Sequence, residues 1–299
     1  GALRATELRS LGYVYMLVST TSFAVMAAVS KKIGAQATAN EKLFWRAVVT
    51  GGLTLLGHRW GGKGRARPRR PGLMLLRGLL GHAATVAYFE AIQRLPLAEA
   101  TFLGKVHPLA AAVLAWALLG EALQLSRVAA IAASAWGVAL IANPSATGLA
   151  SGSTAGVVLG LFAGVLSGAA YCCVRALGRS GESELWTVLA FPLVSAPIGM
   201  ADAWYGITVR GIDMPLGLML LALGLATQGG QLFLARGLKL LPAASGTQVM
   251  YLGVIASVFL GVLLGDGWPS WRVWVGGAII TMSLQVAEMF ESRCRPSKA

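Results

Sequence analysis

The feature that most constrains this sequence is a succession of apolar runs, each about as long as a bilayer is thick, separated by short breaks rich in glycine, proline or charge. A helix crossing the hydrocarbon core needs roughly 20 mostly apolar residues. Such runs fall at about 11–30, 41–57, 72–93, 96–119, 125–142, 155–178, 184–205, 215–238, 242–265 and 270–290. Backbone in lipid must satisfy its own polar groups, so the runs read as helices. The predicted fold is an all-α integral membrane protein with ten transmembrane helices. Composition agrees, because 12% of the 299 residues are charged, against about 25% in a soluble domain. That excludes water-soluble enzymes, disordered or collagen-like chains and disulfide-rich secreted modules. Cys172 and Cys173 lie inside an apolar run and Cys294 in the tail, which provides neither a disulfide framework nor metal-ligand spacing.

The net charge of +13 would suggest nucleic acid in a soluble protein. Here the basic residues cluster between apolar runs, where they set orientation in a membrane, so the expected partner is the lipid bilayer and not nucleic acid. The link from His58 to Gly72 carries Arg59, Lys63, Arg65, Arg67, Arg69 and Arg70, too many charges to cross a bilayer easily. Placing it in the cytoplasm puts both termini inside, N-in and C-in, with most lysines and arginines on the cytoplasmic side or at span ends. Trp204, Tyr205, Trp268 and Trp271 mark span ends as interfacial anchors.

The chain also resembles itself. A shift of 146 residues lays Leu95-Pro96 on Leu241-Pro242 and Thr101 on Thr247, and a one-residue gap then lays Gly120-Glu121 on Gly265-Asp266. A shift of 144 lays Gly12 on Gly156 and Lys31 on Arg175. Two five-span repeats are therefore expected over 1–143 and 155–291, joined by a connection at 144–154 and followed by a basic cytoplasmic tail at 292–299. Five is odd, so the second repeat enters the membrane inverted, an arrangement that places a substrate site near the midplane and supports alternating access.

Ala91-Ile92, Leu95-Pro96-Leu97-Ala98-Glu99-Ala100, Pro108 and Leu119-Gly120-Glu121 resemble the drug/metabolite transporter superfamily, ten-span EamA type. The second half echoes them in Gly237-Leu238, Leu241-Pro242-Ala243-Ala244 and Leu264-Gly265-Asp266, and Phe44-Trp45-Arg46 resembles the Arg-bearing start of that family's second span. The closest resemblance is to bacterial YddG-type amino-acid exporters. It implies amino-acid export, aromatic ones included, across the bacterial inner membrane. The sequence departs from the family pattern at Val254, where the second copy lacks a proline, and at Ser22-Phe23, where many members have Trp-Gly.

A charge inside a span costs about 2.5–3.5 kcal/mol on insertion scales and so marks a partner or a watery cavity. Lys105 lies near the centre of the fourth span, with Thr101 one turn before it. Pro108 cannot donate to the carbonyl of Gly104, which is expected to stay free beside the lysine. Lys105 is the candidate for a substrate carboxylate, against a snorkelling or ion-paired lysine. His82 either lines a cavity or packs with its polar atoms satisfied, and packing is preferred for His107. Gln228 with Gln231, and Gln248 with Tyr251, add neutral hydrogen-bonding groups that suit a zwitterion but also serve as interhelical glue. Trp45 and Trp186 stand at the starts of corresponding spans, where they close over an apolar side chain or simply pack. Pro108, Pro192 and Pro197 are expected to bend their helices as hinges. Glu121 and Asp266 are expected to pair with Arg127 and Arg272.

No carboxylate lies in the middle of any run, which argues against a cation/proton antiporter, and one midspan lysine is too little for organic phosphates. No metal site, cofactor or catalytic constellation is expected, so an integral-membrane enzyme is the remote alternative. A permease or exporter of another small metabolite or drug is the nearer one. A monomer is expected to suffice, and coupling is read as facilitated diffusion, with proton movement through His82 as the rival.

Overall fold

The computed structural model describes residues 2–60, 68–119, 125–142, 151–240 and 252–294. Its elements are α1 (Ala2–Ile33), α2 (Ala39–Trp60), α3 (Pro71–Arg94), α4 (Leu97–Gly104), α5 (His107–Leu119), α6 (Leu125–Ala142), α7 (Ser151–Arg179), α8 (Glu184–Tyr205), α9 (Met214–Leu240), α10 (Leu252–Leu263) and α11 (Trp271–Cys294). The described residues contain no strand. Five helices are long and apolar enough to cross a membrane, at Ser10–Gln36, Pro71–Arg94, Thr154–Val174, Leu185–Arg210 and Met214–Leu234. Leu125–Ile141 and Leu252–Leu263 are shorter and equally apolar. The fourth expected run is two helices, α4 and α5, separated at Lys105–Val106.

The helices pair α1 with α9, α3 with α7, α2 with α8 and α6 with α11. Secondary contacts join α2 to α9 and α3 to α8, α5 to α7 and α1 to α10, and α4 to α10. Close pairing requires missing side chains. A Cβ at Gly137 of α6 would stand 2.5 Å from the Gly276 carbonyl oxygen of α11, and one at Gly276 would stand 2.5 Å from the Gly137 oxygen. On α7, Gly156, Gly160, Gly164 and Gly168 face Leu95, Leu103, Val106 and the His107 carbonyl in turn, so the stripe seats α4 and α5 against that helix. The centre of the core is made by Leu43, Phe89, Ile92, Leu97, Leu103, Leu223 and Ile280, all fully buried. Outward faces carry exposed Leu, Val, Phe and Trp, and Trp204, Tyr205, Trp268 and Trp271 stand exposed at helix ends, the surface that a bilayer covers.

Charge collects at the two ends. At one end Glu41 pairs with Arg210 at 2.5 Å, Thr38 Oγ1 donates to Asp202 at 2.7 Å, and Lys42 Nζ donates to the Gly34 carbonyl. Gly34 has φ +57°, the left-handed turn that lets the chain reverse from α1 into α2. Asp266 at this end pairs with Lys31 at 2.5 Å and accepts from the Leu97 backbone N–H. The pairing of Asp266 with Arg272 expected from sequence is therefore corrected: the turn after α10 carries Asp266 toward the end of α1, while Arg272 lies over the Trp271 ring. Glu121 lies outside the described residues. At the other end Glu182 Oε2 accepts from the backbone N–H groups of Arg69 and Arg70 at 2.7 and 3.1 Å.

Candidate functional site

Lys105 sits where α4 stops. Its N–H turns back to the Phe102 carbonyl at 3.0 Å, and Val106 N–H reaches Leu103 at 3.3 Å, so the helical ladder tightens and breaks before Pro108. The Gly104 carbonyl is not left free, contrary to expectation. His107 Nδ1 donates to it at 3.0 Å, because the break swings the imidazole back over the end of α4. The His107 ring lies 5.2 Å from that of Tyr171 on α7. Thr101 donates to the Leu97 carbonyl and lies 3.2 Å from the Tyr88 hydroxyl on α3. The fourth run is thus an interrupted helix, with half-helix ends meeting at Lys105–Val106.

His82 is buried between three helices. With Nε2 donating to Asn40 Oδ1 of α2 at 3.2 Å, Nδ1 accepts from the Ser195 hydroxyl of α8 at 3.1 Å. A neutral imidazole satisfies both neighbours, which is the packing reading. Gln228 Nε2 reaches Thr54 Oγ1 of α2 at 3.4 Å, and Gln231 is half-buried one turn on. Trp45 packs beside Ile33, Ala37, Leu216 and Leu220, and Trp186 beside Leu73, Met74, Leu177 and Ala190, so both fill apolar clusters. α8 runs through Pro192 and Pro197 without interruption. Pro192 lies against α2 at Gly51. Gln248 and Tyr251 lie outside the described residues. The polar contacts of these residues therefore involve α2 and α8 as well as α3, α4 and α9. Among the described residues no group of three metal-binding side chains occurs.

Two charged residues in this interior, Arg46 of α2 and Arg77 of α3, escape a sequence reading that counts them with the span ends. Their distance from the run boundaries, more than a helical turn inside, is the signal that finds them. Arg46 is 7% exposed, with its guanidinium 4.5 Å above the Phe191 ring of α8. Arg77 Nη1 lies over Gly81, beside the same ring.

Glu182 lies in the turn between α7 and α8. Desolvation raises its pKa, but the backbone N–H groups of Arg69, Arg70 and Ser183 and the Arg69 charge together outweigh it and hold the carboxyl below its ordinary value.

The all-helical architecture of the described residues and their apolar outward faces are those of a multi-pass membrane protein. Residues 10–143 match the pattern of the EamA-like transporter family. Over 280 residues the chain is 26% identical to the pseudopaline exporter CntI of Pseudomonas aeruginosa, spanning 93% of this chain and 95% of that one. An uncharacterized transporter of Helicobacter pylori is 24% identical over 91% of this chain and 92% of its own. Human solute carrier family 35 member G1 is 26% identical over 75% of this chain and 64% of its own. A crystal structure 19% identical in sequence superposes over 97% of this chain and 99% of that one with a TM-score of 0.62, a likeness of fold. The family and these relatives point to a transporter and not an enzyme.

Proposed function

We propose that this protein exports amino acids and related small carboxylate-bearing zwitterions across the bacterial inner membrane, by alternating access between two inverted five-span repeats. The observation that carries the mechanism is the exchange symmetry of the helix pairs. Replacing each span by the one five later turns α1–α9 into α7–α3 and α2–α9 into α8–α3, while α2–α8 and α6–α11 map onto themselves. Single contacts follow the same rule. Gly78 abuts Ala190 and Val194, and Gly224, 146 residues later, abuts Val49. Trp45 packs where α1 ends and α9 begins, and Trp186 where α7 ends and α3 begins. Two near-equivalent halves have two near-equivalent ways to rock, which is what inward-open and outward-open states require.

For the substrate, Lys105 at the helix break, with Thr101 and the neutral Gln228, supports a carboxylate-bearing metabolite. The name of the Pseudomonas relative supports the outward direction, and the narrower likeness to YddG-type amino-acid exporters rests on the sequence motifs. Facilitated diffusion is favoured, since both ring nitrogens of His82 are engaged. The test is uptake of a panel of radiolabelled amino acids by reconstituted proteoliposomes, with and without an imposed pH gradient, for the native chain and Lys105→Ala. Saturable uptake that ignores the gradient and is lost in folded Lys105→Ala is expected. Absence of saturable uptake for every amino acid would remove the substrate assignment.

A further inference from the structure

Arg46 and Arg77 converge on Phe191 from different helices. The Arg46 guanidinium stacks at 4.5 Å on the ring, and Arg77 Nη1 approaches the same ring across Gly81, where no side chain intervenes. The two positive charges are close enough to act on each other, and Arg46 also acts on His82. Among the described residues neither guanidinium has a carboxylate beside it. The acids nearest the interior lie elsewhere: Glu41 pairs with Arg210, Glu90 with Arg94, and Asp266 with Lys31 and the Leu97 N–H, while the half-buried Glu99 of α4 stands near Lys31 and Asp266. Arg46 Nε and Arg77 Nε are both buried without a hydrogen-bond partner. His82, beside Arg46, is already engaged by Asn40 and Ser195, and Arg77 lies near Tyr171 and Cys173 of α7.

Two like charges held together in a low-dielectric interior destabilise a fold unless an anion joins them. Arginine presents a planar fork that takes carboxylate oxygens in pairs, and a guanidinium resting on an aromatic face keeps that fork aimed. We infer that Arg46 and Arg77 form an anion-binding site for the transported molecule, and that the substrate class is an amino acid or related metabolite with a second carboxylate, not one of zero net charge. This rests on the transport reading above and narrows it. A single α-carboxylate offset by its own ammonium leaves the two arginines unneutralised, whereas an added carboxylate supplies the missing charge. The site lies among α2, α3 and α8, and Tyr171 of α7, whose ring lies 5.2 Å from that of His107 beside the break, is also near Arg77.

The test compares L-glutamate with L-glutamine, which have nearly the same shape and differ in the second carboxylate. Thermal unfolding of the purified protein in detergent reads binding, and flux into proteoliposomes reads transport. The native protein is expected to gain thermal stability with glutamate and not with glutamine, and to move glutamate with a kcat/KM at least about tenfold higher, the scale of one charge-assisted hydrogen bond. Arg46→Gln and Arg77→Gln are each expected to abolish the glutamate shift and the preference. Their ligand-free melting temperature should stay level or rise, since each variant relieves an unpaired charge, and a purely structural arginine would give the opposite. Stabilisation by glutamate without flux would keep the site and overturn the export reading. Saturable flux of neutral amino acids without any glutamate effect would keep export and overturn the site. A glutamate response that survives in both variants would overturn the arginine assignment outright.

Discussion

The second and third spans and the seventh and eighth occupy equivalent places in the pairing scheme, yet their chemistry differs. Where the first half has Arg46, Arg77 and His82, the corresponding positions of the second half are Thr187, Leu223 and Gln228. Leu223 is fully buried in the apolar core, and Thr187 turns its hydroxyl to the Ser183 carbonyl of its own helix. The glycines at the helix crossings, Gly78 and Gly224, are the same in both. On the proposed inverted-repeat reading, packing has kept the likeness of the halves, while ionisable groups have not. A rocking mechanism needs the helix interfaces to be interchangeable, and a substrate that is itself asymmetric needs a lining that is not.

The largest expected effect comes from erasing that difference. Arg46→Thr with Arg77→Leu gives the first half the residues of the second, and it is expected to lower glutamate flux at least about 100-fold, as loss of two charge-assisted contacts implies. The folded yield should hold. A double variant that transports glutamate normally would show that the charge asymmetry is incidental. Next in size is the test of shared packing. A Cβ at Gly78 would stand 2.5 Å from the Ala190 carbonyl oxygen, and one at Gly224 2.5 Å from Val49 Cβ. Gly78→Ala and Gly224→Ala should each destabilise the protein by about 1–3 kcal/mol, the usual cost of overpacking, seen as similar falls in melting temperature. A fall in only one would break the equivalence of the two crossings.

Much of this comparison is legible from sequence because it is written in short, local patterns. Run length gives the helices, and Leu95-Pro96 against Leu241-Pro242 suggests a register between halves, of which Leu241-Pro242 lies outside the described residues. Trp45 and Trp186 stand out at corresponding span starts, and each lies against an apolar cluster. Side-chain partnership is not local, and there the sequence falls short. Asp266 has Arg272 six residues away in the chain, yet its partner is Lys31 at the end of α1. Pro108 signals a disturbed helix, but not that His107 turns back to occupy the Gly104 carbonyl. Arg46 and Arg77 resemble span-end charges until the fold shows how deeply Arg46 is buried and that both approach the same ring.

His82 offers a smaller effect. His82→Gln introduces the residue of its counterpart, Gln228, and an amide can still serve one of the two neighbours, Ser195 or Asn40. The expected loss is about 1 kcal/mol, that of one net hydrogen bond, with flux still indifferent to an imposed pH gradient. If the native chain proves gradient-driven and His82→Gln does not, the imidazole is a proton carrier and the two halves differ in coupling as well as in substrate contact.

The smallest effect separates the two ends of the molecule. The turn between α1 and α2 is tied to the end of α8 through Thr38 and Asp202, and the turn between α7 and α8 is tied to the start of α3 through Glu182 and the N–H groups of Arg69 and Arg70. In the second tie the backbone donors and the neighbouring arginine hold the Glu182 carboxyl below its ordinary range. A depressed folded-state pKa contributes stability that is present above the unfolded value, about 4.3 for glutamate, and is lost as pH falls through the lower folded value. Melting temperature followed downward from pH 6 should therefore show a small acid-side decline that Glu182→Gln lacks, because the amide oxygen accepts at every pH. The group is exposed, so salt should shrink the contribution from Arg69 and leave that of the backbone donors. Identical acid-side curves for the native chain and Glu182→Gln would mean that the tie does not hold in solution, and the two ends would then differ in the presence of a clamp and not only in its chemistry.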